Sequence, residues 1–272
     1  MREGSMEIVR PPKGYHFRFA LFDFDGTLSL IREGWPDVMV PMMVEHLSRL
    51  NTGLSTDRLR RMMARDVEEL TGRQTIYQMI RFAQRVREHG GKPLSPRRCK
   101  AEYDRRLMKH IAYRRAALAD GSVRPDRMLL AGSRKLLEAL RARGLVLCLA
   151  SGTDRRYVLE EAELLDISRY FGRHIYGALD DYEASSKKKV IQRLAAANRI
   201  RPRELLVFGD GFVEIENCRE AHGYAVGVAS DEAAGDGRID PRKRRRLLAA
   251  GADMIVPDYR QLEELLERIF EA

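Results

Sequence analysis

Three short apolar runs, each closing on a small polar motif, constrain this chain more than any other feature. Phe17-Arg18-Phe19-Ala20-Leu21-Phe22 runs into Asp23-Phe24-Asp25-Gly26, Leu145–Ala150 into Ser151-Gly152-Thr153, and Leu205–Phe208 into Gly209-Asp210-Gly211. Runs of this length, bounded by turn residues, read as buried strands. Weaker strands are expected at His174–Tyr176, Ala225–Val228 and Met254–Val256. Between them, apolar residues recur at helical spacing in Leu129–Arg143, Asp154–Leu164, Lys188–Ala197, Val213–Ala221 and Tyr259–Phe270. Strands alternating with helices imply an α/β fold with a Rossmann-like parallel sheet covered on both faces. Right-handed crossovers then set every strand's C-terminal end along one edge, and ligands bind in the crevice outside it. All three polar motifs therefore face one crevice.

The interval from Ser29 to Arg127 breaks the alternation. It holds helix-like stretches at Asp37–Leu50, Thr56–Leu70, Thr75–His89 and Pro96–Ala119, separated by Asn51-Thr52-Gly53, Gly72 and Gly90-Gly91-Lys92-Pro93. Ser55 and Ser95 stand where helix N-caps belong. The expected division is an α/β core over residues 1–28 and 128–272, with an all-helical cap domain inserted over 29–127. Met39–Val44 reads as the cap's own core, and Trp35-Pro36 as packing where the insert leaves the sheet.

The chain has 272 residues, 44% of them hydrophobic, enough for a sizeable core. No run of eighteen apolar residues suggests a membrane span, and Met1–Lys13 lacks the apolar stretch of a secretory signal, so a cytoplasmic location is expected. Cys99, Cys148 and Cys218 are widely spaced, which argues against a zinc site or a disulfide framework. His46, His89 and His110 share no metal-binding spacing. The formal charge is +9, and 40 of the 49 basic residues are arginines spread along the chain. Dispersed arginine reads as a solvated surface. The densest run, Arg242-Lys243-Arg244-Arg245-Arg246, reads as a solvated helical face and as the best place for an acidic partner such as nucleic acid.

Asp23 and Asp25 suit phosphate-ester chemistry. Two anions must meet when a carboxylate attacks a phosphoryl group, so a divalent metal or another cation has to stand nearby. An aspartyl-phosphate would split the reaction into two easier steps. A second carboxylate would give a proton to the leaving group and then take one from water. Two residues apart beyond a strand, the side chains of Asp23 and Asp25 point roughly the same way.

Asp23-Phe24-Asp25-Gly26-Thr27-Leu28 resembles the first motif of the haloacid dehalogenase superfamily. Ser151-Gly152-Thr153 resembles its second, Lys187-Lys188-Lys189 its third, and Gly209-Asp210-Gly211 with Glu214 its fourth, in matching order from Phe17 to about Val256. The resemblance implies a nucleophile at Asp23 and a general acid/base at Asp25. It implies phosphoryl contacts from Ser151 and the Gly152 N–H, and charge neutralisation by Lys187, with Lys188 as the alternative. A magnesium shell would draw on Asp23, Asp25, Asp210 and Glu214. Glu214 departs from the pattern, since an aspartate usually stands there. The position of the helical insert resembles the phosphoglycolate phosphatase and β-phosphoglucomutase group. The expected activity is therefore a Mg2+-dependent phosphatase acting on a small phosphorylated metabolite, either a sugar phosphate or a phosphoglycolate-like acid. The alternatives are a phosphomutase, and a nucleic-acid 3′-phosphatase or basic binding module.

Overall fold

The computed structural model describes residues 6–179 and 187–271. Its strands are β1 (Glu7–Ile8), β2 (Phe19–Phe22), β3 (Val146–Asp154), β4 (Ile175–Ala178), β5 (Leu205–Gly209), β6 (Tyr224–Val228) and β7 (Met254–Val256). They form one sheet in the order β1-β7-β6-β5-β2-β3-β4, parallel except for the antiparallel edge strand β1. β2 is central, flanked in register by β3 and β5, with Phe22 opposite both Leu149 and Phe208. The Phe22 and Phe208 rings stack at 4.6 Å, and Tyr259 meets Phe208 edge-on. All four residues of β2 are buried, as an interior parallel strand requires.

The chain runs outward from β2 through β3 to β4, then returns to β5 on the other side of β2 and continues to β7. That reversal at β2 is the topological switch point, where crossovers diverge and leave a crevice. The three strands that carry the polar motifs are adjacent there.

Five helices occupy the interval after β2: α1 (Pro36–Ser48), α2 (Thr56–Glu69), α3 (Thr75–Glu88), α4 (Pro96–His110) and α5 (Ala112–Ala119). The Ser55 and Ser95 hydroxyls accept N–H bonds from Arg58 and Arg98, so both residues cap as expected. The expected helix over Pro96–Ala119 divides at Ile111. A 3₁₀ turn over Pro125–Met128 leads back to the sheet. The outgoing and returning chains bond to each other, Leu30 N–H to the Met128 carbonyl and Leu130 N–H to that of Leu28.

On the sheet lie α6 (Ser133–Ala142), α7 (Arg155–Leu164), α8 (Ser168–Phe171), α9 (Lys187–Asn198), α10 (Phe212–Glu220), α11 (Pro241–Ala249) and α12 (Leu262–Phe270). α6 starts four residues later than the apolar spacing predicts. Leu129 is extended, and Gly132 is left-handed at φ +83°, pressed so close to the Tyr259 carbonyl that no Cβ would fit. α12 also starts late, because Tyr259 is held in the core with its hydroxyl donating to the Thr27 carbonyl.

A buried ion network ties the insert to the sheet. Arg32, just beyond β2, donates two hydrogen bonds of 2.9 and 2.8 Å to Glu161 of α7, and Arg115 of α5 donates a third at 2.9 Å. The Arg32 and Glu161 side chains are 7% and 0% exposed. Removing Arg32 leaves the buried Glu161 carboxylate on Arg115 alone, a smaller loss than the roughly 3–5 kcal/mol of a fully stranded buried charge. Arg32→Ala should therefore lower stability by up to about 3 kcal/mol, while Arg32→Met with Glu161→Leu should recover most of it. Urea denaturation reads both, and an unchanged midpoint for Arg32→Ala would show that the network contributes nothing.

All three cysteines are buried. Burial pushes the Cys148 thiol up to about 12 and raises those of Cys99 and Cys218. Thiolate is the reactive form. A chromogenic disulfide reagent should leave the native protein essentially unlabelled and titrate three thiols in guanidinium. Rapid labelling of the native protein would contradict this packing.

Candidate active site

The turn after β2 is fixed by backbone bonds before any side chain acts. The Phe24 carbonyl accepts N–H bonds from Thr27, Leu28 and Ser29, and Asp23 N–H donates to the Phe208 carbonyl of β5. Gly26 is left-handed at φ +77°, and a Cβ there would stand 2.5 Å from Asp210 Oδ2. Only glycine fits that approach. The Thr27 side chain bonds across the site rather than within its own turn. Its Oγ1 accepts the Asp210 N–H at 3.0 Å and so joins the turns after β2 and β5.

Asp23, Asp25, Ser151, Gly152, Lys187 and Asp210 line one cavity at this edge. Lys187 Nζ donates to Asp23 Oδ1 at 2.6 Å and also to Glu214 Oε1. Of the lysine run, Lys187 enters the cavity, while Lys188 is 53% exposed and pairs with Glu220. Ser186, which precedes Lys187, lies outside the described residues.

Ser151 does not cap the following helix, because β3 continues four residues past its predicted end, through a register shift against β4. Residues two apart on a strand share a face. Ser151 Oγ and Thr153 Oγ1 accordingly both donate to Asp25 Oδ2, at 3.4 and 2.9 Å. Asp25 Oδ1 is buried with no hydrogen-bond partner, and Arg32 Nε stands 3.8 Å away. Burial pushes the Asp25 carboxyl up to about 7, against the pull of Arg32. Burial likewise raises Asp23 to about 6, opposed by Lys187 and assisted by Asp210.

Glu214 is fully buried, with Oε1 on Lys187 and Oε2 unpartnered, and it is not among the cavity-lining residues. The structure thus sets it behind Lys187. The basic run Arg242–Arg246 also differs from expectation. Lys243 and Arg246, three apart on α11, turn inward. Lys243 Nζ donates to Asp210 Oδ2 at 3.1 Å and to Glu232, and Arg246 donates to the Asp210 carbonyl. Arg244 pairs with Glu7. Arg242 and Arg245 of the run are exposed.

Sequence reasoning missed Arg32, Thr153, Lys243 and Glu232. The spacing of Lys243 and Arg246 ahead of buried Leu247 was a readable signal for the inward face of α11. The insert adds Trp35, Gly72, Arg73, Gln78 and Tyr103 to the cavity wall. Trp35 packs on the core as expected and also lines the cavity. His46 pairs with Glu102, and His89 bonds the Arg85 carbonyl.

The residues present fit a hard divalent cation. The Asp23 and Asp210 carboxylates face one cavity, and each one's lysine is shared with a second buried carboxylate. Negative charge therefore remains in excess. Among the described residues, no group of three or more His, Cys, Asp or Glu side chains could hold a metal ion.

The fold recurs widely. A predicted phosphatase from Clostridium acetobutylicum superposes with TM-score 0.61 at 18% identity, covering 94% of this chain and 99% of that one. A predicted phosphoglycolate phosphatase from Haemophilus somnus gives 0.59 at 16%, covering 92% and 97%. β-Phosphoglucomutase from Clostridium difficile gives 0.62 at 14%, covering 94% and 98%. No curated protein matches the sequence. The family model of haloacid dehalogenase-like hydrolases matches residues 17–222, most of the chain and all four motifs. The chain belongs to the haloacid dehalogenase-like hydrolase family.

Proposed function

We propose that this protein is a phosphatase for a small phosphate monoester, with Asp23 as nucleophile. The observation that carries the reading is the pairing of Asp23 Oδ1 with Lys187 Nζ at 2.6 Å, beside a second carboxylate, Asp25, clamped by two hydroxyls. Asp23 attacks phosphorus through a carboxylate oxygen. Asp25 gives its proton to the departing ester oxygen, leaving a phosphoryl group on Asp23. Asp25 then takes a proton from water as that water attacks, and phosphate leaves. Ser151 and the Gly152 N–H bind phosphoryl oxygens. Lys187, positioned by Glu214, holds Asp23 ionised.

Asp23 and Asp210 would hold Mg2+, with Asp25 at its side. When bound, the cation offsets the charge repulsion between carboxylate and phosphate. Glu214 belongs to the lysine rather than the metal in this reading. The helical segment over 29–127 acts as a lid that excludes water and selects substrate. Its exposed Arg73 lines the cavity with its guanidinium over the Tyr77 ring, and it suits a second anionic group on the substrate. Among the small monoesters, that favours a phosphoglycolate-like acid, which carries a carboxylate beside its phosphate, over a simple sugar phosphate. The protein has no helix, among the described residues, long and apolar enough to cross a membrane, and a cytoplasmic site of action agrees with such metabolites.

Asp23→Asn should reduce p-nitrophenyl phosphate turnover in Mg2+ by at least about 10³-fold, and chelation of the metal should do the same to wild type. Equal turnover by wild type and Asp23→Asn would eliminate the nucleophile assignment. Arg73→Ala should raise KM about tenfold for monoesters bearing a second anionic group, and leave p-nitrophenyl phosphate nearly unchanged. A parallel loss on both substrates would assign Arg73 to general packing. Isomerisation of a hexose 1-phosphate outpacing phosphate release would replace the phosphatase with a mutase.

A further inference from the structure

Lys243 is a half-buried cation that the proposed reaction does not use. Its ammonium sits among three oxygens from two segments: Asp210 Oδ2 at 3.1 Å after β5, and Glu232 Oε1 at 2.5 Å and Ser230 Oγ at 3.5 Å after β6. Ser230 Oγ in turn donates to the Gly26 carbonyl at 3.4 Å. A Cβ on Gly26 would meet both Asp210 Oδ2 and Glu232 Oε1. The oxygens are thus packed around one position, and an ammonium fills it. Asp210 also lines the catalytic cavity, while a second, open cavity beyond it is lined by Ser230, Glu232 and Lys243.

Two carboxylates and a hydroxyl at these distances form a hard-oxygen cage of the kind that divalent cations take. We propose that Lys243 is a tethered cation occupying a second cation position beside Asp210. In this role it is a positioning residue that reserves one Asp210 oxygen, leaves the other to the catalytic Mg2+ and keeps the site to a single metal ion. The inference rests on the reading of Asp210 as a metal ligand. Asp240 caps α11 by accepting the Arg242 and Lys243 N–H groups, and buried Leu247 anchors the helix, so the ammonium is delivered from a fixed element.

Without that charge, Asp210 and Glu232 face each other unneutralised across a space open to solvent. Truncation should therefore convert the position into a true cation site. Mn2+ titration by calorimetry of the purified full chain tests this without reference to turnover. Lys243→Met, and Lys243→Gln as a second variant in case the first folds poorly, should bind Mn2+ about tenfold more tightly than wild type, or with a second equivalent. Adding Glu232→Gln should abolish the gain, and Lys243→Arg should behave as wild type. Thermal melts with and without Mn2+ should show the same order.

Asp210→Asn in the otherwise natural sequence separates the two readings. If wild type binds Mn2+ through Asp210 and the Lys243 variants bind no better, the role of Lys243 is overturned and the metal ligand stands. If wild type binds no Mn2+, both fall.

Discussion

Everything at this site depends on burying carboxylates where water cannot reach all of their oxygens. Three aspartates of this sheet edge meet this demand in one way. Asp23 shares Lys187 with Glu214, Asp25 shares Arg32 with Glu161, and Asp210 shares Lys243 with Glu232. In each group a cavity-facing aspartate leans on a cation, and a glutamate behind holds that cation in place. A lone aspartate–lysine pair would be free to rotate, whereas a cation bonded on two sides has a fixed direction. The glutamates come from α7, from α10 and from the segment after β6, so the geometry of the edge is set by the body of the fold.

Backbone geometry does the rest. The Phe24 carbonyl gathers three N–H groups, Thr27 takes the Asp210 N–H, and the Tyr259 hydroxyl bonds the Thr27 carbonyl. These bonds join the turns after β2 and β5 to the segment before α12. The extension of β3 past Ala150 brings two hydroxyls onto one oxygen of Asp25. The Ser151 hydroxyl also accepts the Thr153 N–H at 3.1 Å, which fixes its direction. The irregular register of β3 against β4 thus serves orientation.

The parts of this architecture that were legible in the sequence are the local ones. Apolar runs closing on Asp, Ser or Asp-Gly gave strand, edge and motif together, because strand burial and turn chemistry are written in consecutive residues. Helix ends were less legible. Leu129 and Tyr259 carry helical spacing yet are held extended or in the core by distant contacts. The cation partners were the least legible. Arg32 and Glu161 lie 129 positions apart, and nothing near either names the other. Lys243 was hidden in a charge run that reads as solvated, although helical spacing sets it with Arg246 and Leu247 on one face. Glu214 was read by motif position alone. Its extra methylene carries the carboxylate to Lys187, a contact that spacing does not show.

The charge balance of the three groups bears on how such a site would work. With its carboxylates ionised, each Asp–cation–Glu group holds one excess negative charge, and Arg115 offsets one of the three through Glu161. An edge of that sign repels a phosphate dianion. Burial eases the repulsion by raising Asp23 and Asp25, but a protonated Asp23 cannot attack. The electrostatics therefore ask for a positive charge that arrives with the substrate or just before it, at the oxygens of Asp23 and Asp210 that the lysines leave open. Cation and phosphate would then each bind better in the other's presence, since each removes the other's largest opposing charge, and this coupling is reciprocal. On this view the fixed cations are matched to leave a deficit. Enough positive charge is built in to fold the edge and aim the aspartates, and too little to neutralise it.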